Sequence, residues 1–177
     1  MKKVELKNGK EASIQEATKI DAQEMIEFYN RVGGETDFLS FGENEFVRDL
    51  NEYEEYLDTT CKEENSLILV AKMDGEIVSI ASINSSQKPR TKHVGTLGIV
   101  VAEHLCGYGL GKILMKDLID WARQNGVTKK ISLVTREDNL SAIKLYKQLG
   151  FVEEGLSIDD TFIGGIYYNT LLMGLKL

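Results

Sequence analysis

A glycine loop lies past the middle of the chain and reads Leu105-Cys106-Gly107-Tyr108-Gly109-Leu110-Gly111-Lys112. The apolar run that ends just before it predicts a strand, and the amphipathic pattern that follows predicts a helix over Leu110–Gln124. Glycines have no Cβ, so the main-chain N–H groups of such a loop can approach a ligand closely. A helix that begins there also presents unpaired N–H groups and the positive end of its dipole. These features predict a phosphate site, and the alternative is a strand–helix turn that needs glycine only for tight packing.

Two familiar phosphate-binding loops do not match these residues. A P-loop requires Ser or Thr after Gly-Lys, because that hydroxyl binds Mg²⁺, and here Gly111-Lys112 is followed by Ile113. A dinucleotide-binding loop requires Gly-x-Gly-x-x-Gly in the first strand–helix–strand unit, whereas here the third glycine comes one residue early. Nucleotide hydrolysis is therefore disfavoured, and no metal site is expected.

The loop resembles that of the GCN5-related N-acetyltransferases (GNAT), whose signature is Gln/Arg-x-x-Gly-x-Gly/Ala after a strand. A second segment resembles the Asn-x-x-Ala-x-x-x-Tyr and Gly-Phe of the same family, and it reads Asn139-Leu140-Ser141-Ala142-Ile143-Lys144-Leu145-Tyr146 followed by Gly150-Phe151. The resemblance is close over residues 92–155 and follows the element order along nearly the whole chain. It implies a single α/β domain over residues 1–177. The mixed sheet should have about six to seven strands, splayed at the cofactor site and flanked by about four helices.

The resemblance implies acetyl-CoA as the acetyl donor. The residues expected to bind it are Ile99, Val100, Val101, Cys106, Gly107, Tyr108, Gly109, Leu110, Gly111, Lys112, Asn139 and Tyr146. The glycine loop should hold the diphosphate, and main-chain atoms of the preceding strand should bond the pantetheine arm. Asn139 is either only an N-cap or also a contact to that arm. The family usually has Arg or Gln where this chain has Cys106, so we expect weaker cofactor binding, with Lys112, Lys144 or Lys147 supplying part of the missing charge.

Tyr146 is the residue expected to act on the leaving thiolate. The resemblance places its hydroxyl at the thioester sulfur, and a phenol with a pKa near 10 can protonate a thiolate, whose pKa is about 8.5. A positioned acid of this kind contributes about 10²–10⁴-fold to the rate. The alternative is that Tyr146 only packs on Leu145 and Phe151. Cys106 as a covalent nucleophile is disfavoured, because it belongs to the phosphate loop.

The base that deprotonates the attacking amine is not evident. Strand alternation places the odd-numbered residues from His93 to Val101 on one face, and no carboxylate is among them. His93 is the candidate catalytic base, directly or through a water, and the alternative is an ordinary exposed histidine. Glu35 and Asp37, in the loop after a predicted helix, are expected by family analogy to bind the charge of the amine substrate.

The implied function is acetyl-CoA-dependent N-acetylation, with direct transfer to a primary amine of a small molecule, amino acid or peptide N-terminus. The alternative from another class is a non-catalytic acyl-CoA-binding or regulatory module on the same fold, which Cys106 and the missing strand carboxylate favour. A homodimer through the apolar terminal strand is expected by analogy with the family.

Composition limits the other classes of function. The 177 residues include 21 Lys and Arg against 28 Asp and Glu, and the net charge of −7 speaks against binding to nucleic acid. No apolar run approaches the roughly 20 residues of a membrane helix, and no signal peptide is evident. Cys61 and Cys106 form no metal or disulfide pattern, so a cytoplasmic location is expected. Residues 35–64 are acidic and residues 112–147 basic, which suits a cationic acceptor and polyanionic CoA; two solvated helix faces are the alternative.

Caps and turns predict the other elements. Asn8-Gly9 and Asp74-Gly75 each predict a hairpin. A capping box at Asp21-x-x-Glu24 predicts a helix through residue 30. Asn44 is expected to cap a second helix through residue 58, and closing strands are expected over residues 151–154 and 167–176.

Overall fold

The computed structural model describes residues 1–177 and contains eight strands and four α-helices. The strands are β1 Lys2–Glu5, β2 Glu11–Glu16, β3 Leu67–Met73, β4 Glu76–Ser85, β5 Val94–Val101, β6 Lys130–Arg136, β7 Val152–Ile163 and β8 Ile166–Lys176. The helices are α1 Ala22–Val32, α2 Leu50–Thr60, α3 Leu110–Gln124 and α4 Leu140–Gln148. The expected α/β class and helix number are confirmed, and the sheet has slightly more strands than expected.

The strands form one mixed sheet in the order β1-β2-β3-β4-β5-β6-β8-β7. All neighbours are antiparallel except β5 and β6, which are parallel. Their ladder is short, running only from the pair Val94–Lys130 to the pair Thr96–Ser132. Because β5 continues to Val101 and β6 to Arg136, the sheet is open between the second halves of these two strands.

Two hydrophobic cores lie on opposite faces of the sheet. On one face, α3 and α4 bury residues such as Leu114, Leu118 and Ile143 against Ile131 and Met173. On the other face, α1 and α2 cover the first half of the sheet, where their buried residues include Met25, Phe28 and Leu57. The alternation of strand residues therefore divides β5 between the two cores, with Leu97 in the first and Val100 packed against the second.

A partly buried ion cluster ties the start of α1 to β3. Lys72 Nζ lies 2.9 Å from Asp21 Oδ1 and 2.7 Å from Glu24 Oε2. The Asp21 carboxylate also accepts from the Thr18 N–H at 2.9 Å. Burial alone would raise the pKa of Asp21, but the hydrogen bonds from Lys72 and Thr18 hold this pKa below its usual value.

One capping box and one helix start differ from the sequence prediction. Helix α1 begins at Ala22 with Asp21 as its N-cap, as predicted, but the capping box is formed by Thr18 and Asp21 around a short 3-10 turn and does not involve Glu24. The second helix begins at Leu50 with Asp49 as its N-cap, and the assignment of Asn44 as the cap was wrong. Asn44 has φ +60°, a left-handed conformation outside a helix start. None of the four helices is long and apolar enough to span a membrane.

Candidate active site

The glycine loop presents a row of unpaired main-chain donors. The six successive N–H groups of residues 107–112 make no hydrogen bond within the chain. Gly109 is the N-cap of α3, its φ is +94°, and no side chain caps the helix. Gly107 also has positive φ, +84°. A run of N–H groups in such conformations forms a concave anion site, and the helix dipole adds to it. The geometry fits a diphosphate.

The space beside the loop is open at Gly107, where an added Cβ would meet no atom within 4 Å. The Cys106 sulfur lies 3.7 Å from Ala102 O and 3.9 Å from Val101 O. Burial, together with the carboxylates of Glu103 and Glu35, raises the pKa of the Cys106 thiol. The thiol is therefore protonated at neutral pH and ill suited to nucleophilic attack.

The open part of the sheet adjoins this loop. The N–H of Ala102, just after β5, donates to Val78 O of β4 at 2.9 Å. The register then makes the even-numbered residues of β5 the ones that form main-chain hydrogen bonds with β4. The odd-numbered residues Leu97, Ile99 and Val101 therefore direct their main-chain N–H and C=O groups towards β6, where the ladder has ended. Ile99 and Val101 thus lie where the sequence predicted contacts to pantetheine. Val100 instead accepts a hydrogen bond from the Ser79 hydroxyl at 2.7 Å.

Tyr146 lies on α4, on the same side of the sheet as the glycine loop. Its side chain is buried, with its ring 6.1 Å from that of Phe151 between centroids. Its hydroxyl makes no hydrogen bond within the chain, yet it is not among fully buried unpaired atoms, so it keeps access to the outside. Burial raises the pKa of Tyr146 to about 12. Asn139 is the N-cap of the same helix, with Oδ1 accepting from the Ala142 N–H at 3.3 Å.

The loop between α1 and α2, residues 33–49, bridges the carboxyl ends of β5 and β6. Glu35 Oε2 accepts from the N–H of Glu103, just after β5, at 2.8 Å. Asp37 accepts through its main-chain oxygen from Arg136 Nη1, at the end of β6, at 2.9 Å. Both residues predicted to bind substrate are therefore at the mouth of the open sheet. The Glu35 carboxylate is engaged in holding the loop, while the Asp37 side chain is exposed.

Arg136 joins three segments at this mouth, and the sequence did not single it out. It forms two hydrogen bonds with the Asp138 carboxylate, Nε–Oδ1 at 2.9 Å and Nη2–Oδ2 at 2.6 Å. Its guanidinium lies 3.6 Å from the centre of the Tyr168 ring and 4.9 Å from that of Phe38. The residue is 8% exposed. A charged residue at the end of an apolar strand was the available signal, but its partners are far away in sequence.

A cleft of about 380 Å³ lies on the other face of the sheet and was also missed. It is lined by Met25, Tyr29, Phe46, Arg48, Asp49, Glu52, Tyr53, Tyr56, Ile68, Ser82 and Asn84. Its floor residues Ser82 and Asn84 pair across β4 and β5 with Gly98 and Thr96, which are exposed. Because β5 borders the open part of the sheet, the cleft is one strand away from it.

The remaining predicted residues lie farther from these groups. His93 precedes β5, and its C=O accepts from the N–H groups of Lys129 and Lys130. It is exposed and lies at the end of β5 away from the glycine loop, about 13 Å along the chain from Leu97. Lys147 is paired with Glu153 at 2.7 Å, so its charge is compensated.

Comparison with known proteins identifies the family. The profile of the acetyltransferase (GNAT) family matches residues 35–151. The chain is 33% identical over 105 residues to an L-amino acid N-acetyltransferase, AaaT, of Escherichia coli; the match covers 59% of this chain and 65% of that protein, just under two thirds. It is 29% identical over 161 residues to an N-alpha-acetyltransferase of Sulfurisphaera tokodaii, covering 86% and 87% of the two chains.

A solved structure agrees with these matches. The acetyltransferase of the GNAT family from Streptococcus pneumoniae is 33% identical, superposes with a TM-score of 0.90, and the match covers 94% of this chain and 99% of that one. The resemblance drawn from the two sequence motifs is thereby confirmed. A solved neighbour with the same fold, YncA of Salmonella typhimurium, holds acetyl-CoA as its cofactor; it is 22% identical, with a TM-score of 0.80 over 94% of each chain. The chain belongs to the acetyltransferase (GNAT) family.

Proposed function

We propose that the protein transfers an acetyl group directly from acetyl-CoA to a primary amine of a small molecule, an amino acid or a peptide N-terminus. The observation that carries the proposal is the row of six free N–H groups at residues 107–112, beside the open part of the sheet. The E. coli relative is an L-amino acid N-acetyltransferase and the S. tokodaii relative an N-alpha-acetyltransferase. An α-amino group is common to both names, which supports an amino acid or peptide N-terminus as the acceptor.

The chain would hold the donor mainly with main-chain atoms. Acetyl-CoA supplies, when bound, a thioester whose acetyl carbon is open to attack by an amine. The N–H groups of the glycine loop would hold the diphosphate, and those of Leu97, Ile99 and Val101 would bond the amides of the pantetheine arm. A fixed N–H group aimed at the acetyl oxygen also stabilises the charge that develops there during attack. Asn139 would contribute a side-chain amide near the start of α4.

Tyr146 would assist departure of the sulfur by hydrogen bonding. With its pKa raised to about 12, the phenol stays protonated throughout the neutral range. Burial disfavours a charged thiolate at the same place, just as it disfavours the phenolate. The hydroxyl would therefore donate a hydrogen bond to the sulfur as negative charge develops there, and so assist its departure.

The acceptor would approach from the cleft on the opposite face. Gly98 carries no side chain and Thr96 a small one, so both leave the surface of β5 open between the cleft floor and the donor. Glu52 and Arg48 provide charges of both signs in the cleft, as an amino acid with ammonium and carboxylate groups requires. Asp37 would add negative charge at the mouth. His93 remains the predicted base, but its distance from the open sheet requires a water relay or movement.

Two features favour the alternative of a non-catalytic acyl-CoA-binding module. Cys106 stands where the family resemblance predicted Arg or Gln, and the exposed face of β5 carries no carboxylate. A panel of amino acids, polyamines and short peptides, incubated with acetyl-CoA while released thiol is measured, distinguishes the two. Acetylation of any amine supports the transferase. CoA binding by calorimetry without acetylation of any amine would support the module.

The assembly and location also belong to this proposal. Val134, Leu172 and Val152 are exposed apolar residues on the face of β6, β8 and β7 that no helix covers. We propose that a second copy of the chain covers this face, giving a homodimer. Light scattering of the wild type and of Leu172→Asp tests it, and a wild type that stays monomeric at high concentration contradicts it. Both cysteines are unpaired, which agrees with the predicted cytoplasmic location.

A further inference from the structure

The turn of the β1–β2 hairpin rests on the glycine loop. The N–H of Lys7 donates to Tyr108 O at 3.1 Å. A Cβ placed on Gly109 would lie 3.7 Å from Lys7 Cε and 3.9 Å from Lys7 Cγ. The Lys7 side chain therefore runs along the loop at the residue that caps α3, although the two positions are about a hundred residues apart in the sequence.

The ammonium of Lys7 forms no ion pair within the chain. Lys2 and Lys3 of the same hairpin are paired with Asp117 and Glu11, each at 2.7 Å. Lys7 has no carboxylate within 4.0 Å of its ammonium and is exposed. A free cation beside six free N–H donors is a common arrangement for phosphate, since Lys acts as a point charge on its oxygens.

The loop lacks the Arg or Gln that the family resemblance predicted at its start. Cys106 occupies that position, and its sulfur lies 3.7 Å from Ala102 O. Of the lysines that the sequence offered as substitutes, Lys147 is paired with Glu153. Lys112 lies in the first turn of α3 and remains free, but nothing fixes its side chain.

We infer that Lys7 is a ligand of the cofactor diphosphate and takes the place of the Arg or Gln expected at position 106. Lys7 Cε lies 3.7 Å from the Cβ position of Gly109, so the ammonium one bond beyond it would lie beside an anion held by the loop. The hydrogen bond between Lys7 and Tyr108 fixes the base of this side chain, which lowers the entropy lost on binding. The amino-terminal hairpin thus forms one wall of the cofactor site. The inference rests on acetyl-CoA as the donor in the proposed function.

Calorimetric titration of the full chain tests this directly, without an activity assay. Lys7→Met should raise the Kd for CoA roughly five- to thirty-fold at low salt, as expected for loss of one charge-assisted contact near the surface. The loss should shrink at 0.5 M NaCl, because salt screens the attraction. Lys7→Arg should keep affinity within about threefold of the wild type. The control is Lys10→Met, since the Lys10 main chain bonds Leu6 and Asn8 in the same hairpin rather than the loop.

The same titrations with 3′-dephospho-CoA identify the phosphate. This compound keeps the diphosphate, so Lys7→Met should weaken its binding by the same factor as for CoA. A loss seen with CoA alone would overturn the diphosphate assignment. An unchanged Kd in Lys7→Met, or equal losses in Lys10→Met or Lys7→Arg, would overturn the inference. Absence of CoA binding by the unsubstituted protein would refute the donor, and so be distinguishable from failure at Lys7 alone.

Discussion

Replacing Tyr146 with Phe removes one oxygen atom and leaves the ring. The hydroxyl makes no hydrogen bond within the chain, and the ring keeps its contact with Phe151 at 6.1 Å. Folding should therefore be unaffected to within about 0.5 kcal/mol. The diphosphate and pantetheine contacts are proposed to come from other residues, so the Kd for CoA should stay within about threefold. If the hydroxyl stabilises the leaving thiolate, kcat should fall about 10²–10⁴-fold.

The raised pKa of Tyr146 gives a second, independent readout. The active form is the neutral phenol, and raising its pKa to about 12 favours that form. The wild-type kcat should therefore show no fall attributable to this group between pH 8 and pH 10. A phenol with an ordinary pKa of about 10 would be half ionised at the upper limit.

The assay follows thiol released from acetyl-CoA with a saturating acceptor, with CoA affinity measured separately by calorimetry. Tyr167→Phe is the matched control, because Tyr167 is an exposed tyrosine on the β7–β8 hairpin. A Tyr146→Phe enzyme with kcat within threefold of the wild type would refute the assigned role. A loss of CoA affinity equal to the loss of turnover would show that the residue serves packing instead.

Three further predictions concern the glycine loop, Arg136 and the ion cluster around Lys72. Gly109→Ala should raise the Kd for CoA about 5- to 30-fold in calorimetry, because a Cβ at φ +94° costs about 1–2 kcal/mol. Gly111→Ala is the control, because its Cβ would meet only ordinary contacts at 3.5 and 3.6 Å, and it should bind CoA like the wild type. An equal loss of CoA affinity in the two variants would contradict this reasoning. Arg136→Met should raise the KM of the amine about tenfold or more, because the substitution releases the loop of residues 33–49 that borders the acceptor site. The Kd for CoA should stay nearly constant, and an equal rise in both constants would exclude a positioning role. Asp21→Asn should lower the free energy of unfolding in urea at pH 7 by about 1–3 kcal/mol, whereas the exposed Asp58→Asn should change little. The Asp21 effect should begin to shrink as the pH falls below about 3.9, the ordinary pKa of this carboxyl, and should be lost once the pH has fallen through the lowered pKa of the folded state; an effect that does not shrink would contradict the assignment.

Local signals explain which parts of the fold could be predicted. The glycine loop and the Asn139 cap depend on residues within a few positions of one another, and both have the structure that the sequence indicates. Asn44 shows where local reasoning fails. It has the composition of a cap, but its neighbour Phe46 is tied to Asn30 by two hydrogen bonds, at 3.0 and 3.3 Å, and this contact keeps the segment out of a helix.

Strand β7 was predicted too short for a similar reason. It extends to Ile163 rather than residue 154, but its register shifts between Glu153 and Gly155 and again between Ser157 and Thr161. These irregularities break the alternation of apolar residues that marks a strand in sequence.

Contacts between distant segments account for what the sequence did not show at the site. Arg136 bonds Asp37, 99 positions away, and Lys7 reaches a loop about a hundred residues later. The cleft is assembled from α1, α2 and two strands, so no single stretch carries its pattern. Family resemblance supplied the donor and Tyr146, but it offered nothing for residues outside the shared motifs.

The short ladder between β5 and β6 couples the stability of the fold to the concentration of the cofactor. Without an occupant, the main-chain groups of Ile99 and its neighbours have only water to bond in the middle of the sheet. An occupant that completes the ladder at a hundred times its Kd would add about 2.7 kcal/mol to the free energy of unfolding. Scarcity of the cofactor, whether acetylated or free CoA, would then leave more of the chain exposed to proteases.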